Sequence, residues 1–296
     1  MAKIYLTNEN IKKLKYINSK NLEPGNYTLP DFLIIGPQRT GTTWLSKNLV
    51  FNYQIFIPPE KELYFFSCLT RKENNIHFSS DRLEWYSNKL TPNIRSFIRE
   101  NLQKLKAFKK ISTLHLNYKK YCSPSSIGEA TASYAAMDEC LINEVKTLNH
   151  NIKAIMLIRH PLDRAWSHAK LHFTEVEKKN IDEVNFKEFT DFYTSGYQIR
   201  CGTYTEIINK WEKYVKKENF FIAFFEDIAQ KPYELLTRIF SFLGISYDKN
   251  NVRNYVSKSI INPTLLKEIP KSHKEFLFNL FDNEIQKLNK MFNLKW

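Results

Sequence analysis

The sequence predicts a three-layer α/β architecture, a parallel sheet with helices on both faces, on three observations. Continuous apolar runs recur at Phe32-Leu33-Ile34-Ile35, at Ile155-Met156-Leu157-Ile158 and over residues 220–225, the pattern of strands covered on both sides. Each run is followed by apolar residues at helical spacing. Strands that alternate with helices build parallel sheets, because a parallel neighbour needs a crossover.

The elements follow in order. Residues 1–30 are polar and lysine-rich, punctuated by Pro24-Gly25 and Pro30, and read as an N-terminal arm packed on a single domain over 31–296. The first strand, 32–35, runs into a turn from Gly36 to Gly41. A helix over 42–51 then carries Trp44, Leu45, Leu49 and Val50 on one side. The second strand, 155–158, leads through Arg159-His160 to Pro161, placed for a first helical position, and to a helix through 165–172. The third strand precedes a helix over 232–243 that Gly244 stops. Around this frame, 91–110 reads as an amphipathic helix with Ile94, Phe97, Ile98, Leu102 and Leu105 on one stripe. Residues 271–289 read as a capping C-terminal helix.

Composition bounds the function. A chain of 296 residues with 43% hydrophobic and 25% charged residues is a folded one, neither disordered nor collagen-like. Seven glycines are few, against a usual frequency of roughly 7%. The 44 Lys+Arg against 31 Asp+Glu leave a formal +13, which calls for an anionic partner. Nucleic acid, an acidic membrane face, a phosphorylated cofactor and an acidic glycan all fit. No apolar run approaches the ~20 residues of a bilayer span, and no leader pattern opens the chain. Cys68, Cys122, Cys140 and Cys201 lack CxxC or zinc-type spacing and read as idle thiols in a reducing compartment, the cytoplasm. Between Thr91 and Tyr121 stand eight basic residues and one acid, Glu100. They read as a solvated lysine face or as a patch that meets the acceptor.

The informative segment is Gly36-Pro37-Gln38-Arg39-Thr40-Gly41-Thr42-Thr43. A strand ending in a glycine-bracketed loop that opens a helix aims backbone N–H groups at a phosphate, in the manner of a P-loop. The two glycines have Walker A spacing, yet Thr42 stands where an NTPase needs lysine on the β/γ-phosphates. Arg39 within the turn and the hydroxyls of Thr40, Thr42 and Thr43 suit one phosphate rather than a metal-bound triphosphate.

Those residues, with Trp44 and Leu45, resemble the 5′-phosphosulfate loop of sulfotransferases that use 3′-phosphoadenosine 5′-phosphosulfate (PAPS). The run from Ile158-Arg159-His160-Pro161 to Ser167-His168 is similar to their 3′-phosphate motif, with Arg159 and Ser167 as the matching pair. Lys61-Glu62-Leu63-Tyr64-Phe65-Phe66 resembles the acid-plus-aromatic segment of the heparan-type and bacterial glycan branch. Gly128-Glu129-Ala130-Thr131-Ala132-Ser133-Tyr134, Gly202-Thr203-Tyr204 and the block from Glu226-Asp227 to Gly244 match as well. The resemblance runs from about Asp31 to the C-terminus. It implies a sulfotransferase that takes PAPS, releases adenosine 3′,5′-bisphosphate (PAP) and requires no metal. Nucleotide contacts would come from Arg39, Thr40, Gly41, Thr42, Thr43, Trp44, Arg159 and Ser167, with Lys258 over the 3′-phosphate.

Sulfuryl transfer to a hydroxyl, or less readily an amine, needs a base for the acceptor proton and cations on the leaving phosphate. Glu62 is the expected base, since the apolar Phe65-Phe66 beside it favours a protonatable carboxylate; pairing with Lys61 on the surface is the alternative. Arg39 is the expected leaving-group cation, holding charge without surrendering a proton. His115, between Leu114 and Leu116, is the rival base or a structural histidine. Glu129 orients the acceptor or Arg39, or is a buried capping acid, and Trp44 packs or touches the nucleotide. Ala130 stands where heparan-modifying relatives carry lysine, which argues against a heparan-like acceptor. The expected acceptor is a small molecule or glycan, carbohydrate or glycolipid, with no nucleic-acid partner and with room for weak membrane-surface association. The rival functions are a non-catalytic binder of nucleotides or polyanions and a small-molecule kinase.

Overall fold

The continuous apolar runs form the central strand, its neighbour and one edge strand of a five-stranded parallel sheet. The computed structural model describes residues 3–20, 22–70, 82–97, 121–248, 252 and 268–296. Strands β1 (Ile4–Leu6) and β2 (Gly25–Tyr27) make a small antiparallel pair. Strands β3 (Phe32–Gly36), β4 (Ile55–Phe56), β5 (Ser126–Ala130), β6 (Lys153–Ile158) and β7 (Phe220–Phe224) form the main sheet in the order β4-β5-β3-β6-β7. Every pairing in that sheet is parallel. β3 is the centre; the chain runs from it to β4 at one edge, returns through β5 beside it, and then crosses to β6 on its other side. Open α/β sheets bind ligands at such a switch point, off the carboxyl ends of the strands.

The period of two along the strands sorts the core into two layers. Leu33, Ile35, Ala154, Met156 and Ile158 face one, beside Ile142 and Val145 of the helix Glu139–Leu148 and Ile207 and Trp211 of the helix Tyr204–Glu212. Phe32, Ile34, Ile155 and Leu157 face the other, beside Leu45 and Leu49 of the helix Thr42–Leu49 and Leu236 and Phe240 of the helix Pro232–Leu243. The helix Pro161–Leu171 opens with proline in its first turn. Its apolar face joins the C-terminal helix Lys271–Phe292 in a third cluster. The three expected strand–helix units therefore stand with shifts of a few residues at their ends. The third strand stops at Phe224, since Phe225 opens the helix Phe225–Gln230. Of the expected helix over 91–110, residues 91–97 are described, and 94–97 are helical. The basic residues after Arg95 in that segment lie outside the described residues.

The arm is tied down by burial and by one carboxylate. Leu6, Ile11, Leu14, Ile17, Leu22 and Leu29 are buried in the first core layer. Glu144 is fully buried and accepts the backbone N–H groups of Lys15 at 2.8 Å and Ile17 at 3.3 Å. Backbone donors left without acceptors in the interior cost about 1–3 kcal/mol each. Glu144→Ala should therefore lower the unfolding free energy by about 2 kcal/mol in urea titrations, and trypsin should cleave faster in the arm at Lys12, Lys13 and Lys15. Unaltered cleavage there would show that apolar burial alone fixes the arm.

Candidate functional site

At the carboxyl end of β3 the chain turns back on itself through Gly36-Pro37-Gln38-Arg39-Thr40-Gly41. Gly36 has φ +94° and lies against Ala132, whose carbonyl oxygen would be 2.3 Å from an added Cβ. Gly41 has φ +97° and caps the helix Thr42–Leu49, with Ile228 Cδ1 at 2.3 Å from its would-be Cβ. Only glycine meets both demands, left-handed backbone and close approach. Arg39 also lies in the left-handed region, at φ +70°, a conformation that a side-chain-bearing residue keeps only where its surroundings hold it.

Those surroundings come from the second motif. Arg39 Nε donates to Ser167 Oγ at 2.9 Å, and Arg159 Nη1 donates to the Arg39 carbonyl oxygen at 3.2 Å. Arg159 follows β6 and lies over the Phe225 ring, 4.3 Å from its centroid. Its Nε is buried without a hydrogen-bond partner among the described residues. Burial pushes the Arg39 guanidinium below its ordinary range, and the Arg159 charge adds to that. Arg159 is pushed down by its own burial, opposed by Asp163, Tyr204 and Glu226. Lys170, on the helix that carries Ser167, is lowered by burial and then by both arginines. Positive charge is thus gathered in a partly dry place, where attraction for an anion exceeds its value in water.

The hydroxyls divide. Thr40 Oγ1 donates inward to the Pro37 carbonyl at 2.7 Å and is fully buried. Thr42 Oγ1 and Thr43 Oγ1 accept from Lys61 Nζ at 3.2 and 3.1 Å. The Lys61 ammonium therefore stands at the start of the helix Thr42–Leu49, although the loop itself has no lysine after Gly41. Burial lowers its affinity for a proton, and Glu62 at 3.5 Å opposes that. Sequence reasoning treated Lys61 only as the neighbour of Glu62. The signal for its role was the Walker-type loop with its lysine missing.

Glu62 is a half-buried side chain, 14% exposed, rather than a surface one, and its Oε2 has no hydrogen-bond partner among the described residues. Tyr197 links its surroundings to the anion loop by hydrogen-bonding the Gln38 side chain, and its phenol is raised by burial and, more weakly, by the Glu62 charge. A cavity of about 170 Å³ opens beside this segment, lined by Ser67, Ser133, Asp138, Tyr197 and Arg200 among others. Trp44 is 6% exposed and packs in the core layer with Phe32 and Ile34. Glu129 is buried in a cage of hydroxyls. His168, pushed by burial to about 3, hydrogen-bonds Gln198 and is neutral at ordinary pH. The rival base His115 and the 3′-phosphate candidate Lys258 lie outside the described residues.

The structure therefore brings Arg39, Thr42, Thr43, Lys61, Glu62, Arg159 and Ser167 to one edge of the sheet. A family model described as "Sulfotransferase domain" matches residues 29–287. The chain is 22% identical to the membrane-associated sulfotransferase kil1 of Dictyostelium discoideum, an alignment covering 90% of this chain and 66% of that one. The chain thus spans just under two thirds of that relative's length. A sulfotransferase structure from Alicyclobacillus acidocaldarius superposes with TM-score 0.59 at 19% identity, over 90% of this chain and 97% of the other. One from Mycobacterium avium gives 0.52 at 13% identity, over 90% and 78%. These two share the fold.

Two partly buried arginines in contact favour an anion beside them. Sulfate should raise the melting temperature more than chloride at equal ionic strength, with the stabilisation growing as the logarithm of its concentration over Kd. Arg39→Ala should remove most of that difference in thermal scans. An equal response to both salts would reduce the effect to general screening.

Proposed function

The chain belongs to the sulfotransferase family, and from that premise we propose that it moves a sulfuryl group from PAPS to a hydroxyl of a polar acceptor of the carbohydrate or glycolipid kind. The observation that carries the reading is the meeting of Arg39, Ser167 and Arg159 where two phosphate-type motifs converge, beside a carboxylate and an ammonium.

The residues fit a nucleotide with phosphates at both ends. Arg39, Lys61 and the first N–H groups of the helix Thr42–Leu49 suit the 5′ side, since a helix start and two cations favour an anion. Arg159, with an unused buried N–H, and Ser167 suit the 3′ phosphate. Bound there, the donor supplies an electrophilic sulfur. Glu62 takes the acceptor's proton while the acceptor oxygen forms its bond to sulfur. Arg39 and Lys61 hold the electron pair that the breaking bond leaves on the phosphate oxygen. Arg39 does this as a fixed charge, because a guanidinium does not give up its proton at working pH.

The walls of the cavity support a polar acceptor. Ser67 Oγ and Ser133 Oγ share a hydrogen bond of 2.9 Å, and Asp138, Tyr197 and Arg200 add polar groups to a lining that also includes Ala136, Met137 and Leu141. Free thiols at all four cysteines favour a reducing compartment, the cytoplasm. The net charge of +13 favours weak contact with an acidic membrane face. Among the described residues no helix is long and apolar enough to cross a membrane.

Calorimetric titration with adenosine 3′,5′-bisphosphate, AMP and ATP, with and without Mg²⁺, tests the donor site. The bisphosphate should bind best and without need of the metal; a Mg²⁺-dependent preference for ATP would overturn the reading. Arg159→Ala should weaken the bisphosphate about tenfold or more while changing AMP little, and equal losses would refute the 3′ assignment. Glu62→Gln should keep bisphosphate affinity and lower turnover about 10²–10⁴-fold; unchanged turnover would remove Glu62 as the base.

A further inference from the structure

Glu129 lies on β5, one strand away from the anion loop, and is 1% exposed. Three hydroxyls donate to it: Thr131 Oγ1 at 2.6 Å, Tyr134 at 2.8 Å and Tyr86, also in hydrogen-bond contact. Two of these hydroxyls do a second thing. Thr131 Oγ1 accepts the backbone N–H of Tyr64 at 3.4 Å, and the Tyr134 oxygen accepts the N–H of Phe66 at 3.3 Å. A hydroxyl has one proton to give and lone pairs to receive with. A carboxylate that claims the proton leaves the lone pairs facing the loop, so the two bonds in each relay reinforce each other. The loop needs such holding, because Tyr64 is left-handed at φ +56°, a costly conformation for an aromatic residue.

We infer that Glu129 is a positioning residue for the base: its buried carboxylate suspends the segment carrying Glu62 from the end of β5 through the Thr131 and Tyr134 hydroxyls. The inference rests on the reading of Glu62 as base. The groups that act on Glu129 are Tyr86 from the helix Leu83–Lys89, Thr131 and Tyr134 after β5, and Glu62 itself. No lysine or arginine is among them, so neutral hydroxyls alone offset its burial. Burial raises Glu129 to about 7, the hydroxyls oppose it, and the Glu62 charge adds a further upward push. The suspension is therefore firmest in alkaline solution, where Glu129 is ionised, and loosens as the pH falls through about 7.

Amide hydrogen exchange at residue resolution tests the suspension without any acceptor. In Glu129→Gln, exchange at Tyr64 and Phe66 should quicken about tenfold or more, while the amides of β6 keep their protection. Thr131→Val should release Tyr64 alone and Tyr134→Phe should release Phe66 alone, a pattern that remains measurable if Glu129→Gln does not fold. PAP formation from PAPS should fall about tenfold or more in Glu129→Gln, with PAP affinity within about twofold of the parent. Unchanged exchange at both amides, or faster exchange throughout the chain, would overturn the inference. If Glu62→Gln kept full turnover, the base assignment would fail while the exchange pattern stood, so the two failures are separable.

Discussion

The site depends on like charges held together. Arg39 and Arg159 are brought into contact by the backbone, one guanidinium bonded to the carbonyl of the other residue. In water two such cations would drift apart. Here Gly36 and Gly41 hold the loop in left-handed turns, at φ +94° and +97°, with no room for a side chain at Gly36 against the Ala132 backbone. The fold spends stability to keep two partly buried positive charges together. Strain and charge of this kind persist only where the surroundings over-determine them, and the surroundings here are the two core layers.

The sheet does that determining. β3 and β6 are neighbours at the centre of the order, so the loops that follow them emerge side by side. β5 on the other flank carries Glu129 and, just beyond it, the Thr131 and Tyr134 hydroxyls that reach the Lys61–Phe66 segment. Lys61 on that segment reaches back to Thr42 and Thr43 of the loop after β3, so the segments beyond β3, β5 and β6 meet at one edge of the sheet.

What the sequence discloses follows from how locally each feature is determined. The runs at 32–35 and 155–158 are legible because strands buried on both faces must be apolar throughout, and the edge strand at 220–224 is legible from its apolar composition although it is only partly buried. β5 is not legible as a strand, since Ser126, Gly128 and Glu129 interrupt its apolar character, and β4 is two residues long. The anion loop is legible from its glycines, and Glu62 from its place beside a lysine and two phenylalanines. The contact of Lys61 with Thr42 and Thr43 joins residues 18 and 19 positions apart, and no local pattern announces it. The contact of Arg39 with Ser167 spans 128 positions. It turns two motifs expected to serve different phosphates into one connected cluster, which only the strand order could reveal.

Arg159 lies over the Phe225 ring, 4.3 Å from its centroid, with one N–H spent on the Arg39 carbonyl. A guanidinium pinned by its face loses its freedom to swivel, and its remaining donors point in directions fixed in advance. The ring thus acts as a template for shape. An ammonium in that position would attract any anion that came near, whereas a pinned fork favours oxygens spaced as on a tetrahedral oxyanion and disfavours spherical ions of equal charge. Phe225, which carries no charge, would thereby set part of the selectivity of a site that binds its ligand through Arg159.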